Sequence, residues 1–588
     1  MAKPNWDRLS RDAATLLSCG QVEEAIKLFR SIAQAYAEVP DVHNNLAVAL
    51  KSVGLIEEAM TEYEVALTLD STFVAARLNL ARALRQLAQH DKALQILLQT
   101  SDAGATLNDI YSEMELNLFA MAFPLPSKCA HAALTLLFNN PSRDLRPLFA
   151  PAARLLFSDP SFSGIMKIAE NAYPNRESCA FLAPLEIASP LLNAILLWTI
   201  VAIPDVEKWI TLVRVQLLER LAAGVHIETD QSLLWSIAAQ CHATQHASAA
   251  TPGELKKVDA VIAEMDQFNG TAVAIAAMFR PLQTIPVAVA VWDTKDIACD
   301  NQSFGSPMSI LMRRGIGDRQ VERRLQAGIK TLTPIQDPTS SAVRGQYEEY
   351  PYPVWLSFVP PAPPTSFSHW ARQRFPSILT DTLDLDHSRI LVAGCGTGRQ
   401  AIHTAIRRPG SSVLAVDVSR ASLSFAIRRA EELRVPNIEF SQADILEMGG
   451  LDERFDLIEC SGVLHHMADP LAGWRVLIGL LKPKALMRIG LYSEMARKSF
   501  KTLRNSILSA AAPEQIANQI RAHRRDILTR PLSASESAVI RIEDFYSLSG
   551  CHDLLFHTHE LGFSLPALAD MLARLNRAYP LNAHTHNM

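Results

Sequence analysis

Small and large apolar residues recur along the first hundred positions at a fixed interval. Ala13, Ala47 and Ala81 stand 34 residues apart, as do Gly20, Gly54 and Ala88, and again Ala25, Ala59 and Ala93. Phe29, Tyr63 and Leu97 follow the third set at a constant offset. Small residues at fixed places let two short helices approach closely, and the glycine or alanine between them lets the chain turn back. The pattern predicts three helix pairs. It lapses after about residue 100, where Ser127 stands in the place of the next alanine-type position. From 105 to 335 the periodicity stays helical, with apolar runs such as 132–138 and 212–221 set off by proline and polar breaks. Four prolines within residues 360–364 predict a stiff extended connector.

Beyond the connector the period changes. Residues 388–395 are a β-branched run that ends in glycines and is followed by a helical pattern over 400–408. Strands are predicted at 412–416, 438–441, 455–460 and 485–492, with a helix over 419–433 and a turn at Leu480-Leu481-Lys482-Pro483. Residues 553–556 are expected as a sixth strand and 565–575 as the helix after it, whereas 578–588 make a poor seventh strand. Strands alternating with helices predict a doubly wound parallel sheet.

Composition narrows the class. The chain has 588 residues, 48% of them apolar and 20% charged, which is ordinary for globular proteins and enough for three or four cores. With Lys+Arg at 56 against Asp+Glu at 61, no basic excess exists to neutralise phosphates, so a nucleic-acid partner is not expected. The eight cysteines (Cys19, Cys129, Cys179, Cys241, Cys299, Cys395, Cys460, Cys551) include no C-x-x-C pair and suit a reducing compartment. The first ten residues lack an apolar leader segment. Residues 187–204 are uncharged but contain Ser189, Pro190, Asn193 and Thr199, so a buried core helix is expected there and no membrane span. A cytoplasmic protein is the expectation.

The chemistry concentrates in the last third. Gly394-Cys395-Gly396-Thr397-Gly398 lies between a predicted strand and helix, where glycines let the backbone pass close to a ligand and the first helical amides point at it. The next strand ends in Asp417, placed to accept both hydroxyls of a ribose. The one after runs into Ala443-Asp444-Ile445, where a carboxylate can accept from an adenine amino group. The fourth strand leads into Cys460-Ser461-Gly462-Val463-Leu464-His465-His466. In this order the segments resemble the class I S-adenosylmethionine-dependent methyltransferases. A nicotinamide-binding domain would prefer G-x-G-x-x-G and has no use for the Leu-His-His segment. Many members of the family carry Asp or Glu two residues before the first glycine; here that residue is Val392.

The 34-residue units resemble tetratricopeptide repeats, Leu69-Asp70-Ser71 matching their Leu-Asp-Pro end with Ser for Pro. Together with the segment Gln346 to Trp355 and with Gly490-Leu491-Tyr492-Ser493-Glu494, the chain looks like bacterial proteins that fuse such repeats to a methyltransferase. The resemblance implies an N-terminal α-solenoid (1–104), an all-α middle region (105–335), a Tyr/Pro-rich connector (336–370) and a Rossmann-like methyltransferase domain (371–588). It implies S-adenosyl-L-methionine as cofactor, held by Tyr347, Gly394, Cys395, Gly396, Gly398, Asp417, Val418, Asp444, Ile445, Cys460 and Leu464. Tyr347 would cover the sulfonium by cation–π attraction or pack the segment. His465 and His466 are the catalytic candidates, as proton acceptors near neutral pH or as a pair that shapes the pocket. No metal is expected: Cys241, His242 and His246 lack a fourth ligand, and the histidines at 552, 557, 559, 584 and 586 suit a cavity lining. The repeats are expected to hold a peptide or protein partner. Two functions stay open: methyl transfer to an unidentified acceptor, and a non-catalytic repeat scaffold with a cofactor-sensing or degenerate domain.

Overall fold

The computed structural model describes residues 5–100, 107–121, 127–140, 142–174, 187–294, 306–359, 361, 387–510 and 515–578. The chain divides into two compact units. One comprises residues 1–140, 144–164 and 190–194, the other 141–143, 165–189 and 195–588.

The first unit opens with three helix pairs: α1 (Asn5–Ser18) and α2 (Val22–Ala35), α3 (Pro40–Ser52) and α4 (Ile56–Leu69), α5 (Val74–Gln86) and α6 (His90–Leu98). The second helices of the pairs begin 34 residues apart. Ala13, Ala25, Ala47, Ala59, Ala81 and Ala93 are all fully buried, and Phe29, Tyr63 and Leu97 fill the space beside them. Each pair turns on a left-handed residue, at Gly20 (φ 81°), Gly54 (φ 88°) and Ala88 (φ 56°). The period ends for a local reason. Ser127 is the N-cap of the helix Lys128–Phe138, its hydroxyl accepting from the Ala130 amide, so a polar capping residue stands where a small core residue would be needed.

The second unit is built on six parallel strands: β1 (Lys330–Thr331), β2 (Arg389–Ala393), β3 (Ser412–Asp417), β4 (Ile438–Gln442), β5 (Phe455–Ser461) and β6 (Leu481–Gly490). Their order is β1-β4-β3-β2-β5-β6. In register, Val392 of β2 faces Ala415 of β3 and Glu459 of β5. Alternate residues serve opposite layers. Ile390, Val392, Val413 and Ala415 join Ala401, Ala405 and Leu423 in one core, while Leu391, Ala393, Leu414 and Val416 join Trp474 and Leu477 in the other. Because both faces are covered, β2 reads as an unbroken apolar run.

Three expectations need correcting. The middle region, expected to be wholly helical, supplies β1, which pairs with β4 through Lys330↔Ser441 and Thr331↔Gln442; two residues give too short a pattern to register as a strand. Residues 553–556 are not a strand: they belong to a π-helical turn, His552–Phe556, continuous with the helix Leu548–Cys551. Their apolar run faces a helical core with Phe545, Tyr546 and Ile520, and a short buried run has the same appearance in either state. The Lys482-Pro483 turn lies inside β6, an edge strand, where a proline removes no ladder bond that a neighbour requires. The helix expected over 565–575 runs from Leu565 to Ala578. Most of the connector at 360–364, the weak strand from 579 on, His584, His586, Cys179 and Cys299 lie outside the described residues.

That helical core gathers Ile520, Phe545, Tyr546, Cys551 and Leu555 with Ile200 and Ala247 from the middle region. At its centre the buried Arg524 donates from Nη2 to Glu207 Oε2 (2.6 Å) and from Nε to the Phe545 carbonyl (2.6 Å). Among the described residues no helix is long and apolar enough to cross a membrane, and residues 187–204 hold the nine-residue helix Pro190–Trp198.

Candidate functional site

The strand order reverses between β2 and β5, and the crevice at their carboxyl ends is where open α/β sheets take ligands. The glycine turn borders it. Gly394, Gly396 and Gly398 have φ of 72°, 52° and 83°, so all three use the left-handed region open to glycine. Space adds a second demand at Gly396, where a Cβ would come within 2.7 Å of the Tyr352 carbonyl oxygen. Gly398 is the N-cap of the helix Arg399–Arg407, whose first amides face the crevice. Cys395 is buried beside Gly396, and burial holds its thiol well above the ordinary range.

Asp417 ends β3. Its Oδ2 accepts from the Gly396 amide (2.7 Å) and its Oδ1 from the Ser419 amide (2.9 Å), so the carboxylate is aimed by the turn it serves and keeps further lone pairs on both oxygens. Burial raises its pKa, and the amides oppose the shift. Val418 is fixed by its carbonyl, which accepts from Gln442 Nε2 (2.9 Å). Asp444 caps the turn Ile445–Gly450, with Oδ1 accepting from the Leu446 amide (3.1 Å). Its Oδ2 is buried without a hydrogen-bond partner. An orphaned carboxylate oxygen at a strand end is costly unless a donor arrives, and an adenine amino group is such a donor.

The segment after the helix Pro338–Glu349 covers this end of the sheet. The Tyr347 carbonyl accepts from Ser419 Oγ (3.0 Å), beside Asp417. The Trp355 indole N–H donates to Thr397 Oγ1 (3.2 Å), and Thr397 Oγ1 donates to the Pro353 carbonyl. The Tyr347 phenol points the other way, donating to Asp553 Oδ1 (2.7 Å) and lying 3.2 Å from His557 Nε2. Burial and the Asp553 carboxylate hold that phenol protonated.

The remaining candidates separate. Ile445, Cys460 and Leu464 belong to the apolar core below the crevice, where burial pushes the Cys460 thiol up to about 12. His465 is fully buried, stacked on Tyr492 (centroids 3.8 Å), and neither ring nitrogen has a partner. Burial lowers its pKa to about 2, so it stays neutral. His466 Nδ1 lies 2.8 Å from the His559 carbonyl, and its ring stacks on His557 (centroids 3.7 Å). Sequence reasoning missed Asp553, His557 and Tyr492 as residues of this site. Asp553 and His557 lie 206 and 210 positions downstream of Tyr347; Tyr492 stands in the motif at 490–494 and His557 among the histidines expected to line a cavity, but nothing in the sequence brings the three together. In the middle region, His246 Nε2 is engaged by the Ala277 carbonyl (3.0 Å).

Residues 384–530 match the family described as a methyltransferase domain. An uncharacterised Synechococcus protein is 32% identical over 178 residues, 29% of this chain and 42% of that one. The ubiquinone biosynthesis O-methyltransferase of Alkalilimnicola ehrlichii is 35% identical over 100 residues, 17% of this chain and 39% of the relative. The trans-aconitate 2-methyltransferase of Deinococcus radiodurans is 35% identical over 83 residues, 14% and 30% of the two chains. Among solved structures, PKMT2 from Rickettsia typhi in complex with AdoHcy is 19% identical with a TM-score of 0.29, covering 36% of this chain and 44% of that one. The chain thus spans less than half the length of these relatives. Its C-terminal part is a class I S-adenosylmethionine-dependent methyltransferase domain.

Proposed function

We propose that the protein transfers a methyl group from S-adenosylmethionine to an oxygen, nitrogen or carbon nucleophile, in the cytoplasm, with its 34-residue helix pairs acting as tetratricopeptide repeats that recruit a peptide or protein partner. The observation that carries the transfer reading is the pair of carboxylates on adjacent strands: Asp417, aimed by the Gly396 amide, and Asp444, whose Oδ2 is buried without a donor. Asp417 suits a ribose diol, Asp444 an adenine amino group, and the Gly394–Gly398 turn leaves room for the backbone to approach. When bound, the cofactor supplies a methyl carbon already activated by positive sulfur; the protein's share is positioning and exclusion of water. Recruitment draws support from a pocket of about 270 Å³ between α1 and α3, lined by Asp7, Arg11, Asn45 and Val48 among others. Six described cysteines are free, in keeping with a reducing compartment.

The test is transfer of methyl-labelled S-adenosylmethionine into an extract of the producing organism, with labelled products identified by mass spectrometry. A discrete labelled product supports the reading. Cofactor binding without any labelled product favours the scaffold reading instead.

A further inference from the structure

Among the described residues, one group of buried side chains has the composition of a metal site: His466, Asp553 and His557, with ligand-type atoms within 4.8 Å of one another. The hydrogen bonds argue for a different chemistry. The main-chain N–H of His559 donates to His557 Nδ1 (3.1 Å). A main-chain N–H is only ever a donor, so Nδ1 carries the lone pair and the neutral ring bears its proton on Nε2. That proton points at Tyr347 Oη (3.2 Å), whose own proton goes to Asp553 Oδ1 (2.7 Å). His557 therefore has no lone pair left for a cation. His466 is held in the opposite tautomer: the His559 carbonyl takes its Nδ1–H, leaving a lone pair on Nε2. Among the described residues neither His466 Nε2 nor Asp553 Oδ2 has a hydrogen-bond partner, although the surrounding contacts fix both side chains.

The pair is tied to the cofactor crevice from two sides. His466 follows β5 by way of Gly462, whose missing Cβ would meet nothing within 4 Å. Residues 347–352 run from Ser419, beside Asp417, to Gly396, and carry the Tyr347 phenol that orients Asp553. Two buried proton-accepting side chains, close together and each with an atom that lacks a donor, suit an acceptor molecule bearing more than one O–H or N–H.

The geometry points to Asp553 as the base of the methyl transfer, its Oδ2 receiving the nucleophile's proton, with His466 Nε2 accepting from a second N–H or O–H of the acceptor molecule and Tyr347 and His557 as positioning residues. This rests on the transfer reading above. The acceptor's electron pair forms the new bond to the methyl carbon, the S–C bond breaks with its pair left on sulfur, and the proton passes to Asp553, which later returns it to solvent. The groups facing Asp553 are Tyr347, His557 and His466, the carboxylates of Asp544 and Glu560, the guanidinium groups of Arg497 and Arg504, the phenols of Tyr352 and Tyr492, and the His552 imidazole. Burial dominates and, with Asp544 and Glu560, raises Asp553 to about 7, while Tyr347 and Arg497 oppose it. A carboxyl raised in the folded state binds its proton more tightly there, so the stability it contributes is present below about 4 and is lost as the pH rises to about 7.

The test uses the full chain, Asp553→Asn and Tyr347→Phe. It measures tritiated methyl transfer from saturating S-adenosylmethionine into a desalted extract of the producing organism between pH 5.5 and 9, S-adenosylhomocysteine binding, and melting temperature against pH. Wild-type transfer should rise through about pH 7 to a plateau. Asp553→Asn should lower it at least ~100-fold and abolish that rise. The same variant should bind S-adenosylhomocysteine as wild type does and melt higher than wild type above pH 7, the gain vanishing below about pH 4. Tyr347→Phe, which removes a bond that favours the ionised carboxylate, should move the midpoint to higher pH; it carries the test alone should Asp553→Asn not fold. The proposal is overturned if the variants keep the wild-type rate and profile, or if a chelator abolishes transfer and Mn²⁺ or Zn²⁺ restores it. A wild type that binds cofactor yet labels nothing defeats the transfer reading itself.

Discussion

His465 shows how far a single residue can be read before its surroundings are known. The sequence put an imidazole after the fourth main strand of the sheet, and either a base or a packing group fitted that position. The structure stacks it on Tyr492 with both ring nitrogens buried and unpartnered, which costs the fold. We expect His465→Phe to keep methyl transfer within a few-fold of wild type and to stabilise the protein by about 1–3 kcal/mol in denaturant titration, since two unsatisfied polar atoms are removed and an aromatic stack is kept. A loss of transfer at unchanged stability would return His465 to the catalytic set. Asp417, Asp444 and the glycines were legible because strand periodicity dictates where a strand ends, and those residues stand at the ends. Asp553 was not legible: a hydrogen bond to a tyrosine 206 positions away gives it its place, and its neighbours look like a buried strand.

At the scale of elements, the 34-residue pattern was legible because it repeats the same demand for a small residue at a helix crossing and a left-handed residue at a turn. The third turn departs from the first two, since Ala88 adopts φ 56° where Gly20 and Gly54 stand before it. A left-handed conformation costs a residue with a Cβ roughly 1–2 kcal/mol, partly offset by the greater freedom glycine has when unfolded. Ala88→Gly should therefore stabilise the first unit by up to about 1 kcal/mol, read as a higher melting temperature. A destabilised Ala88→Gly would show that the alanine methyl packs to greater effect than its backbone strain. Elements of two to five residues escaped the pattern: β1, and the π-helical turn His552–Phe556, are too short for periodicity to distinguish.

At the scale of the whole chain, the methyltransferase domain draws on residues far upstream of its first recognisable motif. β1 pairs at 330–331, Thr333 Oγ1 accepts from the Asp444 amide (2.8 Å), Arg428 pairs with Glu322 (3.0 Å), and Arg524 pairs with Glu207. A fragment of residues 340–588 should thus fail to unfold cooperatively, whereas 165–588 should fold and keep its cofactor affinity. Glu207→Ala leaves a buried guanidinium uncompensated and should cost about 3–5 kcal/mol in denaturant titration of the full chain; a loss under 1 kcal/mol would mean that the Phe545 carbonyl alone satisfies Arg524. The account's central claim is that the crevice bounded by Asp417, Asp444 and the glycine turn holds the methyl donor. Calorimetric titration of the full chain and of Asp417→Ala with S-adenosylhomocysteine tests it most directly. The account predicts one site in the wild type, weakened at least ~10-fold in the variant by lost hydrogen bonds to a charged group; folded wild-type protein that gives no heat and no thermal shift, or a folded variant that binds as tightly, would contradict it.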